Sequence, residues 1–433
     1  MTSAKRQQGA IAYYLGSKRR IADEVADAVC SMAGPGNRAV DLFSGMGSAS
    51  VAIAKRMDVT SVDVQEYSRV MCAALLEQGL AGSDERFFAS MRAQLDSLLE
   101  VYGDLVEYEL NALKNYPEHL DTVSDIVENG CLLKGVGEAR EKSLRKRMEA
   151  ARANSDARDL QDSIVRYFGG TYFSYGQAAQ LAAARSAIEL EKGYARTRLL
   201  AALIAAASHC ASTVGGQFAQ PLRTVDGSGK LKVSAVAKAA SCRSKDVEDA
   251  LRTALAEIDH ARTPRSGNRA VRSECLAWLS TGSECPDVIY ADPPYSRYHY
   301  SRYYHVLETI ALGDEPEISL NPGTGRPSRG IYRTNRYQSP FSTRGGAAEA
   351  FERLFRLCSE RSPRLVLSYS PFPSSRPSTP RMASIDELVT IAGRWFKSVT
   401  IADVEGVKHS KLAASKDILE ASPIAEVLLL CSN

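Results

Sequence analysis

Three short segments combine residue types able to do chemistry. The most specific is Asp292-Pro293-Pro294-Tyr295, which follows the apolar, β-forming run Asp287 to Ala291. Two consecutive prolines end a strand and fix a rigid turn. The turn presents one carboxylate, one carbonyl and one aromatic face, a set that suits an exocyclic amine on a flat base. The Asp292 carboxylate and the Pro293 carbonyl can accept the two amine hydrogens, localise the nitrogen lone pair and aim it at an electrophile. Tyr295 can stack on the base once it has left a duplex. A purely structural Pro-Pro turn has the same sequence.

The second segment is Asp41-Leu-Phe43-Ser-Gly45-Met-Gly47. Its glycines let the backbone approach a ligand closely and adopt turn conformations costly for other residues. The third glycine of the dinucleotide fingerprint is missing, because position 50 is Ser, and no G-x-x-x-x-G-K-[ST] occurs, so nicotinamide dinucleotides and P-loop chemistry are disfavoured. The third segment is Asp63, an acid that ends a strand. A carboxylate there can accept both hydroxyls of a ribose, and it can equally cap the next helix.

These residues need strands to carry them. Arg38 to Phe43 and Val59 to Val62 read as strands, with helices from Val51 to Arg56 and from about Glu66 to Glu77. Strand, Gly loop, helix and strand open a doubly wound α/β domain, whose ligand crevice lies at the carboxyl ends of its parallel strands. From Gly82 to Asn268 the pattern becomes mainly helical, with apolar positions at three- and four-residue spacing around Leu95 to Val106 and a buried Ala- and Leu-rich helix from Tyr194 to Ser208. Pro221 to Lys232 reads as a loop. The α/β pattern resumes with a short strand at Ala270 to Glu274 and a helix from Cys275 to Leu279. Asp287 to Ala291 follows as a strand. Then come a helix (Ala347 to Cys358), a strand (Arg364 to Ser368), a helix (Ile385 to Trp395) and two strands, Ser398 to Asp403 and Ala425 to Cys431, able to pair antiparallel. The expected fold class is an α/β, Rossmann-like sheet with a large, mainly helical insertion. The expected division is core at 1–81, insertion at 82–268 and core at 269–433.

Together the segments resemble the S-adenosylmethionine-dependent amino-methyltransferases. The Asp-Pro-Pro-Tyr form resembles N6-adenine methylation, and the motif order resembles the alpha group, the D12 class that includes the bacterial DNA adenine methylases. The resemblance covers about residues 10–80 and 268–433. Tyr14-Leu-Gly-Ser-Lys18 looks like that class's amino-terminal motif, whose lysine lies beside the methionyl part of the cofactor. Asp41 to Gly47 looks like its Gly loop, with Phe43 at its usual place, and Asp63 matches its ribose acid. Arg272-Ser-Glu274-Cys-Leu-Ala-Trp-Leu resembles the segment before the catalytic strand, where an acid often contacts the cofactor adenine; Glu274 replaces the more common Asp. Ser212 to Pro221 keeps only an outline of the class's recognition hairpin, so a target sequence does not carry across. The resemblance implies S-adenosylmethionine as cofactor, Asp292 to Tyr295 as the catalytic turn, base flipping, and direct attack of the amine on the sulfonium methyl group. It leaves open an RNA adenine or DNA N4-cytosine substrate, or an inactive recognition subunit. No Pro-Cys nucleophile motif of the C5-cytosine enzymes is present.

Composition bounds the partners. The chain has 433 residues, 54 Lys plus Arg against 51 Asp plus Glu, and a formal charge of +3. A net charge so small does not by itself indicate a nucleic-acid partner, so any such affinity must be local. Between Ile318 and Ala348 there is no acid, while Arg326, Arg329, Arg333, Arg336 and Arg344 alternate with Tyr332, Tyr337 and Phe341. Arginines contact phosphates and base edges, and aromatics stack. Arg326, Arg329, Arg333, Arg336 and Tyr337 are therefore candidate contacts to double-stranded DNA; a solvated loop is the alternative. The aromatic stretch Ser296 to His305 supplies either pocket or core. The basic residues Lys142, Arg145, Lys146, Arg147 and Arg152 alternate with acids and read as a solvated face.

Nine scattered cysteines without C-x-x-C and six dispersed histidines argue against a disulfide framework and a metal site. The longest apolar run, Leu199 to Ala207, is about half of the ~20 residues a bilayer needs. The expectation is a cytoplasmic, nucleoid-associated monomer without membrane contact, with restriction or phage-defence proteins as potential partners.

Overall fold

The structure is a computed structural model, and it describes residues 18–34, 37–134, 138–158, 160–282, 285–297, 299–370, 381–405 and 424–433. The chain divides into two compact units. A sheet unit draws on Tyr14–Gln78, Ala261–Ser301 and Tyr337–Asn433, and a helical unit on Gly79–His260 and Arg302–Arg336.

The sheet has seven strands: β1 (Arg38–Asp41), β2 (Asp58–Asp63), β3 (Arg269–Arg272), β4 (Val288–Ala291), β5 (Arg364–Tyr369), β6 (Ser398–Glu405) and β7 (Ile424–Ser432). Their order is β3-β2-β1-β4-β5-β7-β6. The β3 to β5 stretch is parallel throughout, and β7 runs antiparallel between β5 and β6. Strands covered on both faces read as continuous apolar runs, and β4 is buried at all four positions. One face of the sheet packs Val40, Ile289, Leu365 and Leu429 against Trp278, Leu354, Phe355 and Leu388. The helix Ala347–Arg361 presents Phe351, Leu354, Phe355 and Cys358, the three- and four-residue spacing of an amphipathic helix, to that core.

This topology gathers the chemistry. Strand order reverses at β1 and β4, so the crevice opens at their carboxyl ends, beside those of β2 and β3. Because β7 is antiparallel, its beginning lies beside the end of β5: Val427 registers with Tyr369 and Leu428 with Ser368. The expected elements are present, with ends shifted by a few residues. β1, for example, stops at Asp41, where Leu42 and Phe43 turn.

The helical unit is built on the 31-residue helix Asp84–Lys114, capped by Ser83, whose side chain accepts from Arg86 N. The Ala-rich helix Tyr175–Glu189 begins with a capping box between Ser174 and Gln177. Between them lies a buried ion pair. Arg243 Nη1 is 2.5 Å from Glu109 Oε1, Arg243 Nη2 donates to the Gly170 carbonyl, and Glu109 Oε2 accepts from Tyr175 N. Buried Arg198 bridges Asp84 and Asp259, joining the first turn of Asp84–Lys114 to the helix Val247–Ala261. Residues 302–336, grouped by sequence with the carboxy-terminal core, pack within this unit: Arg185 Nε donates to the Ile310 carbonyl of the helix His305–Leu312. The Arg-rich stretch then folds back on itself through bridges between Ile318 and Arg333 and between Leu320 and Pro327.

Candidate active site

The loop after β1 is shaped by its glycines. Gly45 and Gly47 have φ of +52° and +81°, the left-handed region that other residues rarely occupy. A Cβ on Gly47 would also come to 3.2 Å from Cys72 Sγ. The loop is tied to the end of β2, because Gly45 N donates to Asp63 Oδ2 at 3.0 Å and Gln65 N donates to Oδ1 at 2.9 Å. The Ser68 side chain and the Val64 backbone also bond this carboxylate, so a ligand hydroxyl must share its lone pairs with them or displace them. Burial raises the Asp63 carboxyl above the usual range despite these bonds. Asp41 is fully buried and accepts from Ser50 Oγ at 2.6 Å. Burial pushes it up to about 7.

The turn after β4 carries Asp292. Its Oδ1 lies 3.0 Å from Lys18 Nζ, and the same ammonium lies 3.0 Å from Glu426 Oε1 on β7. Burial pushes Asp292 up to about 6; Lys18 opposes that rise and Glu426 adds to it. Burial alone would lower the Lys18 ammonium, yet Asp292 and Glu426 hold it well above the usual lysine range. The Tyr295 ring packs edge-on to Tyr369 at 5.7 Å, with the Arg381 guanidinium 4.5 Å and Lys18 Nζ 5.5 Å from its centroid.

Asp63, Glu274, Asp292, Pro293, Pro294, Tyr295 and Phe43 line one cleft of about 880 Å³, open solvent included. A smaller hollow beside it is lined by Lys18, Asp41, Phe43, Gly45 and Asp292. Phe43 stands on an aromatic ladder: edge-to-face contacts run from Phe43 to Phe341, Phe351, Tyr369 and Tyr295. Such contacts fix ring orientation as well as burying area. Among the charged residues lining these hollows, Asp41, Asp63, Glu274 and Asp292 oppose Lys18. Four acids against one ammonium favour a cationic or amine-bearing ligand and disfavour a phosphate.

Tyr14 lies outside the described residues. Glu274 caps the helix Cys275–Thr281, accepting from Ala277 N at 2.8 Å, while Oε1 accepts from the Tyr337 hydroxyl at 3.3 Å. Tyr337 therefore stands on the cleft wall, in the sheet unit. Of the arginines of the acid-free stretch, Arg344 falls in the sheet unit and the other four in the helical unit, where three find acids outside the stretch. Arg326 pairs with Glu138, Arg329 with Glu128 and Arg333 with Asp314. Arg336 has no acidic partner among the described residues; it stacks on Tyr332 at 5.1 Å, with Arg302 at 4.8 Å from the same ring. Its Nε and Nη1 are buried without a hydrogen-bond partner. Sequence reasoning missed Glu426 and Arg381. A signal for Glu426 was present, a lone acid in the apolar strand Ile424-Ala-Glu-Val-Leu-Leu-Leu.

The sheet order and the cleft at its switch point define an α/β fold of methyltransferase type with helical additions. Within that class, residues 14–154 match the family model of the D12 class N6 adenine-specific DNA methyltransferases, bearing out the motif resemblance over that span. The modification methylase LlaI of Lactococcus lactis subsp. lactis is 32% identical over 145 residues, 33% of this chain and 20% of that protein. The similarity thus spans about a fifth of that methylase. Among the described residues no helix is long and apolar enough to cross a membrane.

Proposed function

We propose that this chain transfers a methyl group from S-adenosylmethionine to N6 of adenine in double-stranded DNA. The observation that carries the proposal is the shared cleft. A Gly loop, a strand-ending acid and an Asp-Pro-Pro-Tyr turn meet at the carboxyl ends of β1, β2 and β4.

The residues present fit the cofactor. Asp63 offers acceptors for a ribose diol, and the Gly45–Gly47 loop leaves backbone room. The acid excess suits a cationic sulfur. Lys18, Asp41 and Phe43 would hold the methionyl side, with Tyr14 assigned there on the family resemblance; Glu274 and Tyr337 would form the adenine end. When bound, S-adenosylmethionine supplies an electrophilic methyl group. The protein's own part is positional. Asp292 and the Pro293 carbonyl accept the two hydrogens of the target amine, orienting its lone pair, and Tyr295 supports the flipped base. In the helical unit, which we assign to target recognition, Arg336 and Arg302 around Tyr332 form the phosphate contact. Arg326, Arg329 and Arg333 act there only by exchanging their present acid partners for phosphate.

The test is nucleoside mass spectrometry after separate incubations of the purified chain and methyl-labelled cofactor with DNA and with RNA. Label in N6-methyl-2′-deoxyadenosine that depends on Asp292 supports the proposal. Label in N4-methylcytosine, or in RNA alone, replaces the substrate, and no transfer to any base overturns the activity.

A further inference from the structure

Glu426 has no part in the mechanism above, yet it is among the least accessible acids of the sheet unit. It is 1% exposed on a strand whose following residues, Val427, Leu428 and Leu429, are core hydrophobics. Its Oε1 contacts Lys18 Nζ at 3.0 Å and accepts from Ser368 Oγ at 3.1 Å. Burying a carboxylate is costly, and an apolar residue here would pack the strand without that cost. Lys18 does not require it for balance, because Asp292 already supplies one carboxylate at 3.0 Å. The second acid therefore leaves one ammonium serving two carboxylates, an excess of negative charge beside the cleft.

We propose that Glu426 is a positioning residue for the transfer reaction: by taking up the positive charge of Lys18, it leaves Asp292 with full carboxylate character toward the target amine. The inference rests on the methyltransferase reading of the cleft. Its chemical reason is where charge appears. As the N6–carbon bond forms, the electron pair of the breaking carbon–sulfur bond stays with sulfur, N6 becomes positive, and one N6 proton is then lost to water. An acceptor aimed at developing positive charge stabilises the transition state more than the ground state. With Lys18 and Asp292 alone the local charge would be zero, and that stabilisation would be halved or lost.

Five groups face Asp292 from the surrounding elements: Lys18 from the amino-terminal turn, Glu426 from β7, Asp41 from the end of β1, Tyr290 from β4, and Tyr295 from its own turn. Of these, Lys18 pulls the Asp292 carboxyl down and Glu426 pushes it upward, while Asp292 in turn raises Asp41. Removing Glu426 therefore moves Asp292 toward lower pH.

The test is Glu426→Gln, an isosteric change that keeps a hydrogen-bond partner for Ser368. In the cofactor-free protein, carbon-13 NMR of the Asp292 carboxyl, assigned by difference against Asp292→Asn, should titrate about tenfold lower in proton affinity. Single-turnover transfer should fall about tenfold, the acid limb of its pH profile should shift the same way, and cofactor affinity should hold. Glu426→Asp, which keeps the charge, should restore titration and rate toward the wild type. An unmoved titration in Glu426→Gln overturns the inference even if transfer proceeds. Should Glu426→Gln fail to fold, a folded Glu426→Asp with an unmoved limb supports the charge role, and one with the limb displaced toward low pH overturns it. Absence of transfer in the wild type overturns the functional reading while leaving the titration free to stand.

Discussion

In the helical unit, Arg243 and Glu109 are buried together, one cation to one acid, with the Gly170 carbonyl and Tyr175 N each taking a further hydrogen bond and Arg243 Nε left without a partner. In the sheet unit, Lys18 is buried between Asp292 and Glu426, one cation to two acids, at the edge of a cleft. The first cluster is balanced and closed, with both side chains almost wholly buried. The second is unbalanced and open on the side of Asp292, whose side chain remains 18% exposed. Burying charge is unfavourable in both places, and balance tells them apart. A neutral, hydrogen-bonded pair holds helices in register, whereas surplus charge facing a cleft is poised for a ligand.

The largest effect expected from this contrast is on Asp292. Asp292→Ala should lower methyl transfer by about 10²–10³-fold or more, with thermal stability near that of the wild type, as read by single-turnover assay and calorimetry. The opposite behaviour is expected of the balanced pair. Glu109→Ala strands the Arg243 guanidinium and should cost about 3–5 kcal/mol in denaturant unfolding while leaving transfer per folded molecule unchanged. Replacing both partners, as in Glu109→Leu with Arg243→Met, should recover most of that loss. A double variant as unstable as the single one breaks the comparison.

Smaller effects sharpen it. Asp63 lines the cleft and ties the Gly loop to the end of β2 through Gly45 N, so Asp63→Ala should weaken cofactor binding about tenfold to a hundredfold by titration calorimetry, with DNA affinity retained. The same distinction between spoken-for and unpaired charge runs through the Arg-rich stretch. Arg336→Ala should reduce the slope of log affinity for DNA against log salt by about one, whereas Arg333→Ala, whose charge Asp314 already neutralises, should change it little.

Much of the sheet unit was legible because its chemistry is local. Asp41 to Gly47, Asp63 and Asp292 to Tyr295 each follow a short apolar strand, and a parallel sheet delivers every strand's end to the same edge. The helical unit was legible as helix, but its ion pairs were not. Arg329 meets Glu128 and Arg326 meets Glu138 across separations that composition cannot see, so an acid-free stretch looked more basic than it is. Tyr337 looked like part of that stretch, and its hydroxyl instead reaches Glu274 in the cleft. Glu426 escaped for a related reason. The antiparallel pairing of the last strands could be expected, but only the insertion of β7 beside β5 brings that acid to Lys18.

The central claim is that an ionised Asp292, set among surplus negative charge, determines the rate of transfer. Its carboxyl is pushed up to about 6, so it is protonated below that value and ionised above it. The most direct measurement is the single-turnover methyl-transfer rate on duplex DNA from about pH 5 to about pH 8, with cofactor and DNA saturating. The account predicts a rate that rises with pH to a plateau as Asp292 ionises, and a low, flat profile for Asp292→Asn. A wild-type rate that is flat or falling across that range, or an Asp292→Asn variant that keeps the wild-type plateau, would contradict it.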